Sequence, residues 1–277
     1  YTITGLFINR STTDNVGLFG YVNPEWAIVS NVSLVDVNIT GADLVGGLAG
    51  TNYGSISNSS VAGSVVGDSQ SIGGLVGYNF GSVSNSSAAV NVSGTDPSSM
   101  HIGGLAGWNE EECSITNSSA TGNVSGNSNI GGLVGISKGS VSNSSATGNV
   151  SGYEDVGGLV GENYGTVTNS SATGIVTGEN CVGGLAGKND QSGTVNASYA
   201  TGNVSNTGGG VGGLVGENFG QVFGSYAAGN AGGGYWAGGL VGVNSIGGAV
   251  SNSYATGNAS GTNHVGGLVG ANWDASS

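Results

Sequence analysis

Basic residues are nearly missing from this chain of 277 residues: three Lys and Arg stand against sixteen Asp and Glu, for a formal net charge of −13. Three cations cannot neutralise a phosphate backbone, so no nucleic-acid partner is expected. All charged residues together make up 7%, where a soluble domain ordinarily has about 25%. Proline is down to two residues and there is no Gly-X-Y period, which excludes collagen. No run of about 18 apolar residues occurs, so no membrane insertion is expected. The chain does not open on a basic segment followed by an apolar one, and residue 1 is Tyr, so a processed or excerpted chain is expected. Two cysteines, Cys113 and Cys181, make no disulfide framework. Of the two histidines, neither His101 nor His264 belongs to a His-Glu-x-x-His pair, and neither Lys138 nor Lys188 fits a phosphate loop. No Gly-x-Ser-x-Gly elbow stands between a strand and a helix. No catalytic residue, cofactor site or enzyme activity is therefore expected.

Glycine, by contrast, supplies 59 residues, and apolar residues supply 37%, spread evenly along the chain. So much Gly excludes an all-α protein, because each helical Gly costs about 1 kcal/mol relative to Ala. The even apolar content argues against charge-rich disorder. The glycines fall into a repeat, Gly-Leu-(Val/Ala/Phe)-Gly, whose leucines are Leu18, Leu48, Leu75, Leu105, Leu133, Leu159, Leu185, Leu214, Leu240 and Leu268. Successive leucines lie 26–30 residues apart, and every copy but the first has a second Gly ahead of the Leu. Each core is followed by a turn, a short segment such as Ser82-Val83-Ser84, and a polar strand such as Ala120-Thr121-Gly122-Asn123-Val124-Ser125.

One repeat of this size cannot bury its own apolar residues, whereas stacked repeats can. The expected fold is all-β: a parallel β-solenoid of about ten coils of 26–30 residues, with roughly three short strands per coil. At about 4.8 Å per coil the rod would be roughly 45 Å long. A single domain over 1–277 is expected, with a divergent first coil at 1–40 and regular repeats from 41. Ala120, Gly122 and Val124 alternate with outward polar residues, as a half-buried strand requires. Val156 and Leu159 are three apart, so simple alternation cannot bury both, and a bend at Gly157-Gly158 is expected. The turn after each core carries Asn52, Asn79, Asn109, Asn163, Asn189, Asn218, Asn244 or Asn272, which predicts a stacked amide ladder interrupted by Ser137.

The Gly-Leu-x-Gly core beside Asn-Ser-Ser-Ala-Thr-Gly-Asn-Val segments resembles the GLUG-motif repeat, in ten copies over nearly the whole chain. That resemblance implies a repeat region of a secreted or cell-surface protein of bacteria or archaea, adhesin-like in kind, and carries over no catalytic site.

Several surfaces are candidates for binding or modification. Fourteen Asn-x-Ser/Thr acceptors are present: Asn9, Asn31, Asn38, Asn58, Asn85, Asn91, Asn117, Asn123, Asn143, Asn149, Asn169, Asn196, Asn203 and Asn258. Asn85, Asn117, Asn143 and Asn169 lie near a turn, where a ladder role is the alternative. Glu110, Glu111 and Glu112 are the densest acids and the candidates for a surface Ca²⁺ contact, the one cofactor considered. Tyr53, Phe80, Tyr164, Phe219 and Trp273 follow the turn asparagines and read as ring packing, with a sugar-binding strip as the alternative. Outward Thr-x-Asn-x-Ser triplets, such as Thr121/Asn123/Ser125 and Thr147/Asn149/Ser151, would suit an ice-binding face if they formed a flat array. The loops before each core vary most, with Met100, His101, Tyr235 and Trp236 as their bulkiest residues. A carbohydrate-processing β-helix would need a carboxylate or basic cluster among them. The preferred reading is an extracellular structural rod: a stalk, filament or adhesin segment. Its expected partners are its own ends, neighbouring repeats of a longer chain, surface glycans or another cell.

Overall fold

A computed structural model describes residues 1–273 as a parallel β-solenoid with no helix among them. One coil shows the plan. Glu154–Gly157 runs into Val160–Asn163, then Thr166–Thr168, then Ser171–Ala172 and Val176–Gly178. Stacking these segments builds four sheets. Sheet I, before the Gly-Leu corner, has nine strands; sheet II, after it, has ten; sheet III has nine; sheet IV has seventeen. Equivalent positions pair in parallel from coil to coil, as in Val156↔Val182, Val160↔Ala186 and Val167↔Val195. Residues 1–40 join the same stack: Thr2–Thr4 pairs with Ser33–Gly41, and Phe19–Val22 with Ala49–Asn52.

The first of the three expected strands is thus bent in two, which is why the sheets number four. The bend is the Gly-Gly-Leu corner. It also resolves the spacing of Val156 and Leu159, since turning the chain at Gly158 lets both point inward, and both are fully buried. Gly158 does not have a left-handed φ; what requires glycine is close approach. A Cβ there would run into the carbonyl of Gly184 in the next coil and sit 2.9 Å from the Ala172 methyl.

The interior is a set of columns, each of similar apolar residues. Leu75, Leu105, Leu133 and Leu159 line the corner, Val83, Ile115, Val141 and Val167 line sheet III, and Ala120, Ala146 and Ala172 line sheet IV, all at most 1% exposed. Sheet IV changes along the rod. Its first coil is split into Thr2–Thr4 and Phe7–Asn9, the next three strands are continuous, as in Ser87–Gly94, and from Ser119–Ala120 and Val124–Ser125 onward each is split in two again. At the split the backbone N–H of Asn123 donates to Asn91 Oδ1, and that of Asn149 to Asn123 Oδ1, each at 3.0 Å. A side-chain oxygen thus replaces the usual carbonyl.

Candidate functional site

Three ladders of side chains run along the rod, and one groove. The turn asparagines form the first ladder: Asn52 Nδ2 donates to Asn79 Oδ1, Asn79 to Asn109, Asn163 to Asn189, Asn189 to Asn218 and Asn218 to Asn244, all at 2.8 Å, and Asn244 to Asn272 at 2.9 Å. Each such Nδ2 also reaches a carbonyl of its own turn, for example Gly54 O. At Ser137 the chain of amides stops. Asn109 donates to Ser137 Oγ at 3.3 Å, Ser137 donates to Gly139 O, and Asn163 Oδ1 is left buried without a partner among the described residues. Filling that gap is expected to stabilise the protein: Ser137→Asn should add about 1 kcal/mol, the net worth of one hydrogen bond to a buried acceptor. A urea midpoint below that of the wild type would refute this.

The second ladder escapes a reading of the sequence. Ser59, Ser86, Ser118, Ser144, Ser170, Ser198 and Ser225 are buried at the corner between sheets III and IV. The N–H of Ser86 donates to Ser118 Oγ at 3.2 Å and that of Ser118 to Ser144 Oγ at 3.1 Å, while each hydroxyl donates to the carbonyl two residues back. The residue just before each serine is what turns the chain. Asn58, Asn85, Asn117, Asn143 and Asn169 have φ between 48° and 51°, the left-handed region that Asn tolerates. These five asparagines are exposed at a corner, and it is the serine beside each that forms the ladder there. The third ladder is the split of sheet IV, where Asn91, Asn123, Asn149, Asn203 and Asn258 are also exposed. Of the other acceptors, Asn9, Asn31 and Asn38 are exposed and Asn196 is half-buried.

The split also bears on the Thr-x-Asn-x-Ser triplets. Thr121, Thr147, Thr201 and Thr256 face solvent, but the backbone bends at the following Gly.

The groove lies between the outer faces of sheets I and II. At Gly161 a Cβ would be 2.6 Å from Ile130 N of the preceding coil, so the two sheets nearly touch there. Two columns of side chains line what remains. One is Ser71, His101, Asn129, Asp155 and Cys181, each with φ between 49° and 59°. The other is Tyr78, Trp108, Ile136, Glu162, Lys188 and Glu217, paired in register. Near the start, Tyr78 and Trp108 stack at 5.5 Å and both donate to Glu110, at 2.6 and 3.2 Å. Burial raises the Glu110 pKa, but the Tyr78 hydroxyl, the Glu111 N–H and Lys138 outweigh it and hold the carboxyl below its usual range. Glu110 is therefore held by its own coil and by the coils on either side, while Glu111 and Glu112 stay exposed. The calcium candidates do not converge, and among the described residues no group of three or more His, Cys, Asp or Glu side chains is arranged to hold a metal ion.

Further along, Glu162 is 6% exposed and accepts from Asn129 at 2.9 Å, Tyr164 at 2.8 Å and Lys188 at 2.8 Å. Asn129 also donates to Asp155, and Lys188 lies 3.4 Å from Asp190. Burial, then the charge of Glu162, pushes Asp155 up to about 7. Burial lowers the Lys188 pKa, but hydrogen bonding to Glu162 outweighs it and holds the ammonium charged. The Cys181 thiol, pushed up by burial and neighbouring acids, donates to Glu217 at 3.4 Å. Burial pushes His101 down to about 4, so its ring is neutral at pH 7. Among the described residues this is the densest network of charged groups, and its members pair with one another. The sequence signal was the alternation Glu162, Lys188, Glu217 in a column that is otherwise mostly apolar or aromatic.

The other singled-out residues form no single site. Tyr53 stacks on Phe80 at 4.8 Å, whereas Phe219 lies under Lys188 and Trp273 meets Trp236 edge-on. Met100 and His101 are half-buried, and Tyr235 is exposed.

Compared with known proteins, the chain matches the family model described as the GLUG motif at residues 41–66, 68–93, 98–125, 126–151, 152–177 and 178–205, more than half its length. It is 47% identical over 57 residues to a protein of Evansella cellulosilytica named "Putative Gly-rich membrane protein". That match covers 20% of this chain and 6% of the relative. No solved structure matches the chain significantly.

Proposed function

This chain belongs to the GLUG-motif family, and on that premise we propose that it is a structural rod on the outside of the cell, a stalk, filament or adhesin segment with no catalysis of its own. The observation that carries this reading is the coil-on-coil register, which shifts once between Leu34 and Val37 and is otherwise regular, with nearly every buried turn satisfied by a ladder. Such a rod resists local opening, because each coil is held by two neighbours. The outward Ser, Thr and Asn and the charge of −13 keep its surface hydrated. The relative's printed name, a membrane protein, agrees with a place at the envelope; among the described residues no helix is long and apolar enough to cross a membrane.

Exposed acceptor asparagines on two columns would carry glycans in a host that makes them. Such a rod would pair end to end with neighbouring repeats of a longer chain or with another copy. Antibodies against the chain should stain intact cells of the source organism, and staining confined to permeabilised cells would overturn the surface reading. Electron microscopy tests the end-to-end contact: discrete short rods at every concentration would count against it.

A further inference from the structure

We propose that Tyr199, Tyr226 and Tyr254 form an oxidative cross-linking site, at which a peroxide and a peroxidase-type oxidant join neighbouring coils through dityrosine. These residues open the sheet IV strands of three successive coils, where the coils from Ser33 to Ser171 carry serine. Backbone pairing aligns Tyr199 with Tyr226 and Tyr226 with Tyr254. Their rings lie 5.0 and 5.2 Å apart, each pair within 5° of parallel. Tyr199 and Tyr226 are half-buried and Tyr254 is 54% exposed, so the edge of the stack is open to an oxidant.

Among the described residues, the other stacked rings pair a tyrosine with Phe or Trp. Phenylalanine has no phenol to oxidise, so only the 199–226–254 column brings stacked phenols together. The sheet holds these rings side by side before any reaction, which replaces a bimolecular encounter with an intramolecular one.

The chemistry balances as follows. Each of two phenols loses its O–H hydrogen, as one electron and one proton, to give a phenoxyl radical. The radicals couple through a new C–C bond between the carbons beside each hydroxyl. Both rings then regain aromaticity as the hydrogen on each coupled carbon moves to the oxygen. The two electrons and two protons released reduce one hydrogen peroxide to two water molecules. Tyr226 has such a carbon on either side of its hydroxyl, so it can bond to both neighbours. The product staples coils in a rod whose two cysteines are free.

The test treats the dilute, purified full chain with hydrogen peroxide and a haem peroxidase. Dityrosine fluorescence should appear at monomer size, with a mass lower by two hydrogens per bond and cross-linked peptides mapping to Tyr199–Tyr226 or Tyr226–Tyr254. Tyr226→Phe, which keeps the stack but interrupts the phenols, should cut the intramolecular signal about tenfold or more. Tyr21→Phe, at an exposed tyrosine elsewhere, should leave it unchanged. The proposal is overturned by no dityrosine, by cross-links between molecules only, or by an undiminished signal in Tyr226→Phe. It stands or falls independently of the surface location, since the reaction is run on isolated protein.

Discussion

Gly158→Ala should destabilise the solenoid by about 4 kcal/mol, near the top of the range for single substitutions, while Gly267→Ala, at the same place in the last Gly-Leu core, should change little. Both glycines precede the corner leucine. At Gly158 an added Cβ meets the backbone carbonyl of Gly184 and the methyl of Ala172. At Gly267 it meets nothing within 4 Å among the described residues. Backbone in a stacked sheet cannot step aside without pulling two coils out of register, so the overpacking penalty exceeds that of a side-chain clash. Because each coil contacts only its neighbours, the damage should be local. Chemical denaturation of Gly158→Ala should show two transitions, and protease should nick the chain near coils 154–184. A single transition at the wild-type midpoint would mean that the corner tolerates a Cβ.

That comparison also shows which parts of the fold are legible in the sequence. The Gly-Gly-Leu-x-Gly period reveals the coil, because close approach at a corner permits no other residue and so recurs without exception from the second copy on. The asparagine ladder is legible for the same reason, down to its break at Ser137. The serine ladder is not. Ser86 and Ser87 are adjacent and look alike, yet one is buried and donates into the next coil while the other is half-buried on the strand. Only the left-handed φ at Asn85 separates them, and a tripeptide Asn-Ser-Ser reads equally well as a glycan acceptor. The charged groove is hidden differently. Asp155 and Glu162 are close because sheet I and sheet II fold back on each other, a consequence of the corner bending the first strand in two. Without that fourth face, the two acids look like unrelated loop and turn residues.

The second large effect should come from Lys188→Met. Lys188 sits among Glu162, Asp155 and Asp190, and its ammonium is 2.8 Å from Glu162. Removing one partner of a buried pair leaves an uncompensated charge and costs about 3–5 kcal/mol. Lys188 is partly exposed, so roughly 3 kcal/mol is expected at pH 8. The loss should shrink in acid, because of Asp155. Its folded pKa, about 7, lies above the ordinary value of 3.8. The protonated carboxyl is therefore favoured in the folded state, its contribution is full below about pH 4, and it is lost as pH rises toward 7. His101 works against this slope. Its pKa is depressed from 6.5 to about 4, so its contribution is present above 6.5 and fades as pH falls through 4. Comparing the wild type with Asp155→Asn cancels the histidine, since both proteins contain it. The amide keeps an oxygen for Asn129 and cannot ionise. Relative to the wild type, Asp155→Asn should therefore gain roughly 2 kcal/mol between pH 4 and pH 8, after allowance for partial solvent exposure. Urea titrations across that range would read the difference directly. A wild type and variant that track each other at every pH would show that Asp155 is ionised in the fold, and that Lys188 neutralises two carboxylates rather than one.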